Sequence, residues 1–162
     1  MSSGKIYLDS CIFIAYEHKK DDRHNVVAEA IESLEKLDVE VYASDWALTE
    51  LVKSLVKDYN YPREKAIEIS DRYKKKSKIG DLPITWLEVG SEDKYSFEDF
   101  FEYIRNQLIE NKDVHIADAI HSLVMSNNDI DIILTTDKDF DALKTVTSLD
   151  PNALRLIRPK AS

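Results

Sequence analysis

Residues 129–143 read DIDIILTTDKDFDAL. An apolar, β-forming run from Ile130 to Leu134 passes through Thr135 and Thr136 into three aspartates, Asp137, Asp139 and Asp141. A short apolar run bounded by polar turn residues has the signature of a buried strand. Its ending is costly unless something compensates, because neighbouring carboxylates repel and each loses hydration when partly buried. Two explanations fit this stretch alone. The aspartates serve as turn and helix-cap residues, or a cation belongs among them.

A second strand with the same kind of ending opens the chain, where KIYL at residues 5–8 runs into Asp9. Between the two, helical and extended patterns alternate. A short helix follows Asp9 to Tyr16, and residues 24–37 repeat Val27, Ile31 and Leu34 at amphipathic helical spacing. VEVYAS at 39–44 is a strand, followed by a helix over 45–59 with a buried stripe of Leu48, Leu51, Val52, Leu55 and Val56. Pro62 opens the next helix, to about residue 76. LPITWLEVG at 82–90 reads as a strand and residues from 91 or 92 to 108 as a helix. Asp113 is a natural N-cap for a helix over 114–127. After the strand at 130–134 come a one-to-two-turn helix at 139–143 and a short final strand in TVTSL, 145–149.

Strands alternating with helices imply parallel pairing through crossover connections. The expected architecture is a single three-layer α/β/α domain over residues 1–162, with a central, mostly parallel sheet of four to five strands. Ligands of such sheets bind outside the carboxyl ends of the strands. That is where Asp9 and Asp137 would both lie.

Composition narrows the classes of function. The chain has 162 residues, 43% hydrophobic and 33% charged, in line with one globular domain. No apolar run approaches the roughly 20 residues of a membrane span, and MSSGKIYLDS lacks a signal-peptide core. A cytoplasmic location is expected. The one cysteine, Cys11, has no disulfide partner and no zinc-ligand set around it, so it reads as a small buried residue. A net charge of −9 weighs against a nucleic-acid partner in bulk. The basic residues are clustered, however: RYKKKSK at 72–78 follows Lys53, Lys57 and Arg63. They form either a solvated helix face or a phosphate-binding rim.

Two more acids bear on the question. In HIADAIH, residues 115–121, the inward stripe is expected to be Ile116, Ile120, Leu123 and Val124. Asp118 lies off that stripe, on the side of His115, His121 and Ser122, between two alanines that permit close packing on the sheet. Glu50 is locally ordinary, and taken alone a surface pairing with Lys53 explains it better than a site role does. If Asp9, Glu50, Asp118 and Asp137 converge at the sheet edge, they suit Mg²⁺ or Mn²⁺, which prefer oxygen donors. Such a cation acidifies water and offsets charge on phosphoryl oxygens, the requirements of phosphodiester hydrolysis.

Rival readings of DKDFD fail on spacing. A calcium loop of the EF-hand type starting at Asp137 needs glycine at its sixth position and glutamate at its twelfth, where this chain has Ala142 and Ser148. A haloacid-dehalogenase-like phosphatase needs a further lysine and acidic pair well downstream, and only 25 residues follow Asp137. Three glycines cannot build a phosphate loop.

Four segments, YLDSCIFI, SDWALTEL, HIADAIHSLVM and ILTTDKDFDAL, resemble in order those of the PIN-domain family of metal-dependent ribonucleases, which includes the VapC-type toxins. The resemblance covers essentially the whole chain. It implies Asp9, Glu50, Asp118 and Asp137 as an acidic quartet binding Mg²⁺ or Mn²⁺, with Asp139 competing with Asp137 for the fourth place. Ser10 and Thr135 or Thr136 match hydroxyl residues expected to orient the carboxylates. It further implies cleavage of single-stranded RNA, frequent homodimerisation and often a small antitoxin partner. The other expectations within the same fold are an RNA-processing nuclease without an antitoxin, and a non-catalytic binding module. Lys53 and Lys57 are the candidate contacts to the RNA backbone.

Overall fold

The computed structural model describes residues 3–89 and 97–155. In chain order the elements are β1 (Gly4–Leu8), α1 (Ser10–Glu17), α2 (His24–Leu34), β2 (Val39–Ser44), α3 (Asp45–Lys57), α4 (Arg63–Lys76), β3 (Lys78–Ile79), β4 (Leu82–Pro83), β5 (Thr85–Leu87), α5 (Phe97–Glu110), α6 (Ile116–Asn127), β6 (Ile132–Leu134), a 3-10 turn (Lys138–Ala142), β7 (Thr147–Leu149) and α7 (Pro151–Arg155). The central sheet has five strands in the order β5-β2-β1-β6-β7, and all four pairings are parallel. The expected α/β architecture is therefore present.

Side-chain alternation along β1 assigns the layers. Ile6 and Leu8 pack into a core with residues of α1, α2, α3 and α4. Tyr7 points to the opposite face, into a second core with Ile133 of β6, Ile104 of α5 and Ala119, Ile120 and Val124 of α6. Both faces of the sheet are covered, which explains the near-continuous apolar runs of its central strands.

Strand order reverses at β1. Its neighbour β2 follows it in sequence, whereas β6 arrives from the far end of the chain. The carboxyl ends of β1 and β6 are level, since Leu8 pairs with Leu134 and Asp9 N–H donates to Leu134 O at 3.2 Å. This reversal sets the place where acids from distant parts of the sequence can meet.

Three local expectations are corrected. The stretch 82–90 is not one strand. Leu82–Pro83 closes a hairpin with Lys78–Ile79, and only Thr85–Leu87 joins the main sheet. Pro83, without an N–H, suits a break in the ladder, and Gly80 takes the left-handed φ of 58° that the hairpin turn requires. The N-cap of α6 is His115, not Asp113, and Ile116 is 56% exposed rather than part of the inward stripe. The single 14-residue helix from Val114 thus begins two residues later, turned so that Ala119 and not Ile116 meets the sheet. The start of α5 anticipated at residue 91 or 92 lies outside the described residues.

Candidate metal centre

Asp9 is the first residue after β1 and caps α1, accepting Ser10 N–H at 2.7 Å. An aspartate at this junction satisfies an orphan helix donor and has its charge favoured by the helix N-terminus. Its other oxygen, Oδ2, accepts the Thr135 hydroxyl at 2.7 Å, while the Ser10 hydroxyl reaches Oδ1 only at 3.4 Å. Thr135 is itself buried, and its Oγ1 also accepts Asp137 N–H at 2.9 Å. One threonine thus links the strand-end acid of β1 to the acidic turn after β6. Asp137 stands three residues beyond the end of β6, not directly after it, and caps the 3-10 turn by accepting Asp139 N–H at 2.9 Å.

Asp118 sits in the first turn of α6 and is 6% exposed. Its Oδ2 accepts His115 N–H at 3.1 Å, closing a capping box. Burial pushes its carboxyl up from 3.8 to about 6, and the nearby charges of Asp137 and Asp9 push in the same direction against the His115 bond. Carboxylate oxygens of Asp118, Asp137 and Asp139 lie within 4.8 Å of one another.

Glu50, in the middle of α3, does not pair with Lys53. Its Oε2 lies 2.6 Å from His121 Nε2, and the donor atoms of Asp9, Glu50 and His121 also fall within 4.8 Å of one another. His121 is 1% exposed and lies one turn beyond Asp118. Burial alone would lower its pKa, but the Glu50 bond and the charges of Asp9, Glu50 and Asp118 outweigh it and leave the imidazole raised above 6.5.

The structure thus brings Asp9, Glu50, Asp118, Asp137 and Asp139 to one end of the sheet, with Ser10 and Thr135 donating to Asp9. Thr136 faces elsewhere. Its N–H reaches Cys11 Sγ at 3.4 Å, and its hydroxyl accepts from Arg23 at 3.1 Å. Burial pushes the Cys11 thiol up to about 12, consistent with an inert packing residue. Asp141 is exposed on the 3-10 turn. Lys53 and Lys57 are exposed on α3, and Arg72 of the basic cluster pairs with Glu17.

Sequence reading passed over Arg23, the cation that hydrogen-bonds into the turn beside Asp137, held by a two-pronged pair with Asp21 at 2.9 and 2.7 Å. It placed His121 only on the same helix side as Asp118, without a partner. The available signal was its helical spacing from Asp118.

The donor set fits a hard divalent cation. It is dominated by carboxylate oxygens, and among the described residues no lysine or arginine forms an ion pair with any of the five acids.

A doubly covered parallel sheet with such an acidic set at its switch point defines an α/β protein of the PIN type. The PIN domain matches residues 6–146, and the chain belongs to that family. Three solved structures share its fold at low identity. VapC20 of Mycobacterium tuberculosis, a toxin that cleaves the sarcin–ricin loop, has a TM-score of 0.63 at 18% identity, covering 86% of this chain and 95% of that one. A chain of VapBC2 from Rickettsia felis, bound to a DNA fragment from its promoter, scores 0.61 at 12% identity, with 90% and 98% covered. A chain of FitAcB from Neisseria gonorrhoeae scores 0.56 at 17% identity, with 90% and 97% covered. No curated protein matches the chain significantly.

Proposed function

We propose that the chain is a single-domain, Mg²⁺- or Mn²⁺-dependent endoribonuclease acting on single-stranded RNA, and the toxin of a toxin–antitoxin pair. The observation that carries this reading is the pair of acidic groups, Asp9 with Glu50 and Asp118 with Asp137 and Asp139, at the switch point of a PIN-family sheet, with no lysine or arginine ion pair to them among the described residues. Bound there, a divalent cation supplies positive charge to the phosphodiester and a more acidic water. The chain's own residues do the rest. Asp9, Glu50, Asp118 and Asp137 hold the cation, with Asp139 adjoining, and Thr135 and Ser10 orient Asp9. Lys53 and Lys57 are the proposed contacts to the RNA backbone.

The fold is shared with a toxin described as cleaving the sarcin–ricin loop and with chains of VapBC2 and FitAcB, which supports RNA as substrate and an antitoxin as partner. An acidic site of this kind is closed naturally by a basic antitoxin segment placing Arg or Lys among the carboxylates. A non-catalytic binding module is disfavoured because the acid set is complete. The test is cleavage of single-stranded RNA with Mn²⁺, with EDTA added, and with Asp118→Asn. Cleavage is expected in the first case alone, and activity surviving both the chelator and the substitution refutes the proposal.

A further inference from the structure

Glu50 differs from the other four acids because it comes from the middle of a helix, not from a strand end, a turn or a helix's first turn. Its side chain has three rotatable bonds and is 22% exposed, so water lies within its reach. Asp9, with a carboxylate oxygen within 4.8 Å of its own, repels it, and an unrestrained Glu50 would relax outward. What opposes this is a chain of three buried polar groups. His121 Nε2 lies 2.6 Å from Glu50 Oε2. On the other side of the ring, His121 Nδ1 lies 2.6 Å from the Tyr7 hydroxyl, which lies 2.6 Å from Ser44 Oγ. His121, Tyr7 and Ser44 are 1%, 0% and 0% exposed.

A carboxylate can only accept, so His121 Nε2–H donates to Glu50 in either protonation state of the ring. In the neutral ring Nδ1 accepts from Tyr7 O–H and the Tyr7 oxygen accepts from Ser44, whereas in the imidazolium Nδ1–H donates to the Tyr7 oxygen and Tyr7 O–H donates to Ser44. Ser44 also caps α3 by accepting Ala47 N–H at 3.4 Å. Both ends of the chain therefore act on the helix that carries Glu50, one at its start and one at the carboxylate itself. The bond uses Oε2 and leaves Oε1 able to accept.

We propose that His121, held by Tyr7 and Ser44, is the positioning residue that fixes the Glu50 carboxylate for divalent-cation binding. This rests on the reading of the acidic set as a divalent-cation site. It adds residues from β1, the end of β2 and the middle of α6 to those that touch the cation.

Mn²⁺ binding to the RNA-free protein, followed by electron paramagnetic resonance and calorimetry, tests it. His121→Leu, which keeps bulk and removes both polar atoms, should weaken Mn²⁺ binding about 10- to 100-fold, the usual cost of losing an outer partner of a metal ligand. His121→Gln, whose amide can still donate to Glu50, should recover most of that loss. Tyr7→Phe removes one hydroxyl without changing packing and should fall between wild type and His121→Leu. In a Glu50→Ala background, His121→Leu should cost nothing further, because its effect passes through Glu50. An additive loss there overturns the proposal, as does unchanged Mn²⁺ affinity in His121→Leu. Direct nitrogen coupling to Mn²⁺ in the wild type overturns it too, since it makes His121 a ligand. Should His121→Leu fail to fold, Tyr7→Phe and His121→Gln carry the same comparison. Asp9→Asn separates the two levels. Loss of Mn²⁺ binding in Asp9→Asn but not in the His121 variants sinks the positioning role alone, whereas a wild type that binds no Mn²⁺ sinks the reading of the site with it.

Discussion

The two halves of the acidic site hold their carboxylates by different means. Asp9 has a donor on each oxygen, the Ser10 N–H of its helix cap and the buried Thr135 hydroxyl, and Glu50 is gripped by the buried His121 side chain. Asp118 and Asp137 are held by backbone N–H groups of a helix cap and a 3-10 turn, and Asp139 is flanked by an exposed His115 at 3.5 Å. Side-chain donors in a packed interior leave a carboxylate few alternatives. Backbone donors at a turn fix one oxygen and leave the other facing its like-charged neighbours. One half is therefore preorganised, while the other stores repulsion that only a proton or a cation relieves.

Asp118 is where breaking this arrangement should show most. Asp118→Asn is expected to lower RNA cleavage by more than about 100-fold, beyond the range for a residue that only supports a ligand. In the metal-free protein the same substitution should raise the melting temperature, because it removes a buried charge opposed by Asp137 and Asp9. Thermal melts with and without Mn²⁺ check this. Equal melting temperatures for metal-free wild type and Asp118→Asn would remove the stored repulsion from the account.

The second prediction follows from protons. In the metal-free protein Asp118 holds its proton to about pH 6, whereas the unfolded chain releases it near 3.8. The folded state thus binds more protons than the unfolded state across that window, and this group's contribution to stability falls as pH rises through it. His121 acts in the same sense: its raised folded pKa makes its contribution full below 6.5 and lost as pH climbs through the folded value. A cation needs Asp118 ionised, so Mn²⁺ affinity should fall about tenfold per pH unit below 6 and level off above it. Asp118→Asn should flatten that slope. Calorimetric titrations at several pH values measure both.

Residues close in sequence were legible, and contacts between distant elements were not. The alternation of strands and helices, and the acids at strand ends, follow from local periodicity and placed Asp9 and Asp137 at one edge. Glu50 could not be told from a surface glutamate, because its partner His121 lies 71 residues away. Arg23 was hidden for the same reason, with its contact Thr136 113 residues off. The cap of α6 was misassigned for a different cause. Asp113 and His115 can both accept from a helix N-terminus, and the Asp118 side chain's return bond to His115 N–H selects the later start. At the break after Pro83, the proline was the available signal and the apolar run obscured it.

The smallest expected effect compares two hydroxyls on one carboxylate. Thr135 donates to Asp9 at 2.7 Å from a buried position and also accepts Asp137 N–H, whereas Ser10 reaches Asp9 at 3.4 Å, beyond good hydrogen-bond geometry. Thr135→Val keeps the shape and strips both bonds, leaving Asp9 Oδ2 and Asp137 N–H without their partner. Its cost in cleavage should be about tenfold, the low end for a residue that orients a metal ligand. Ser10→Ala loses only the long contact, because Asp9 keeps the Ser10 backbone N–H at 2.7 Å, and should change cleavage by no more than about twofold. Parallel rate measurements on the two variants decide the order. If Ser10→Ala proved the more damaging, its hydroxyl would have to act on water or substrate rather than on Asp9, and Thr135 would be reduced to a residue that joins two turns.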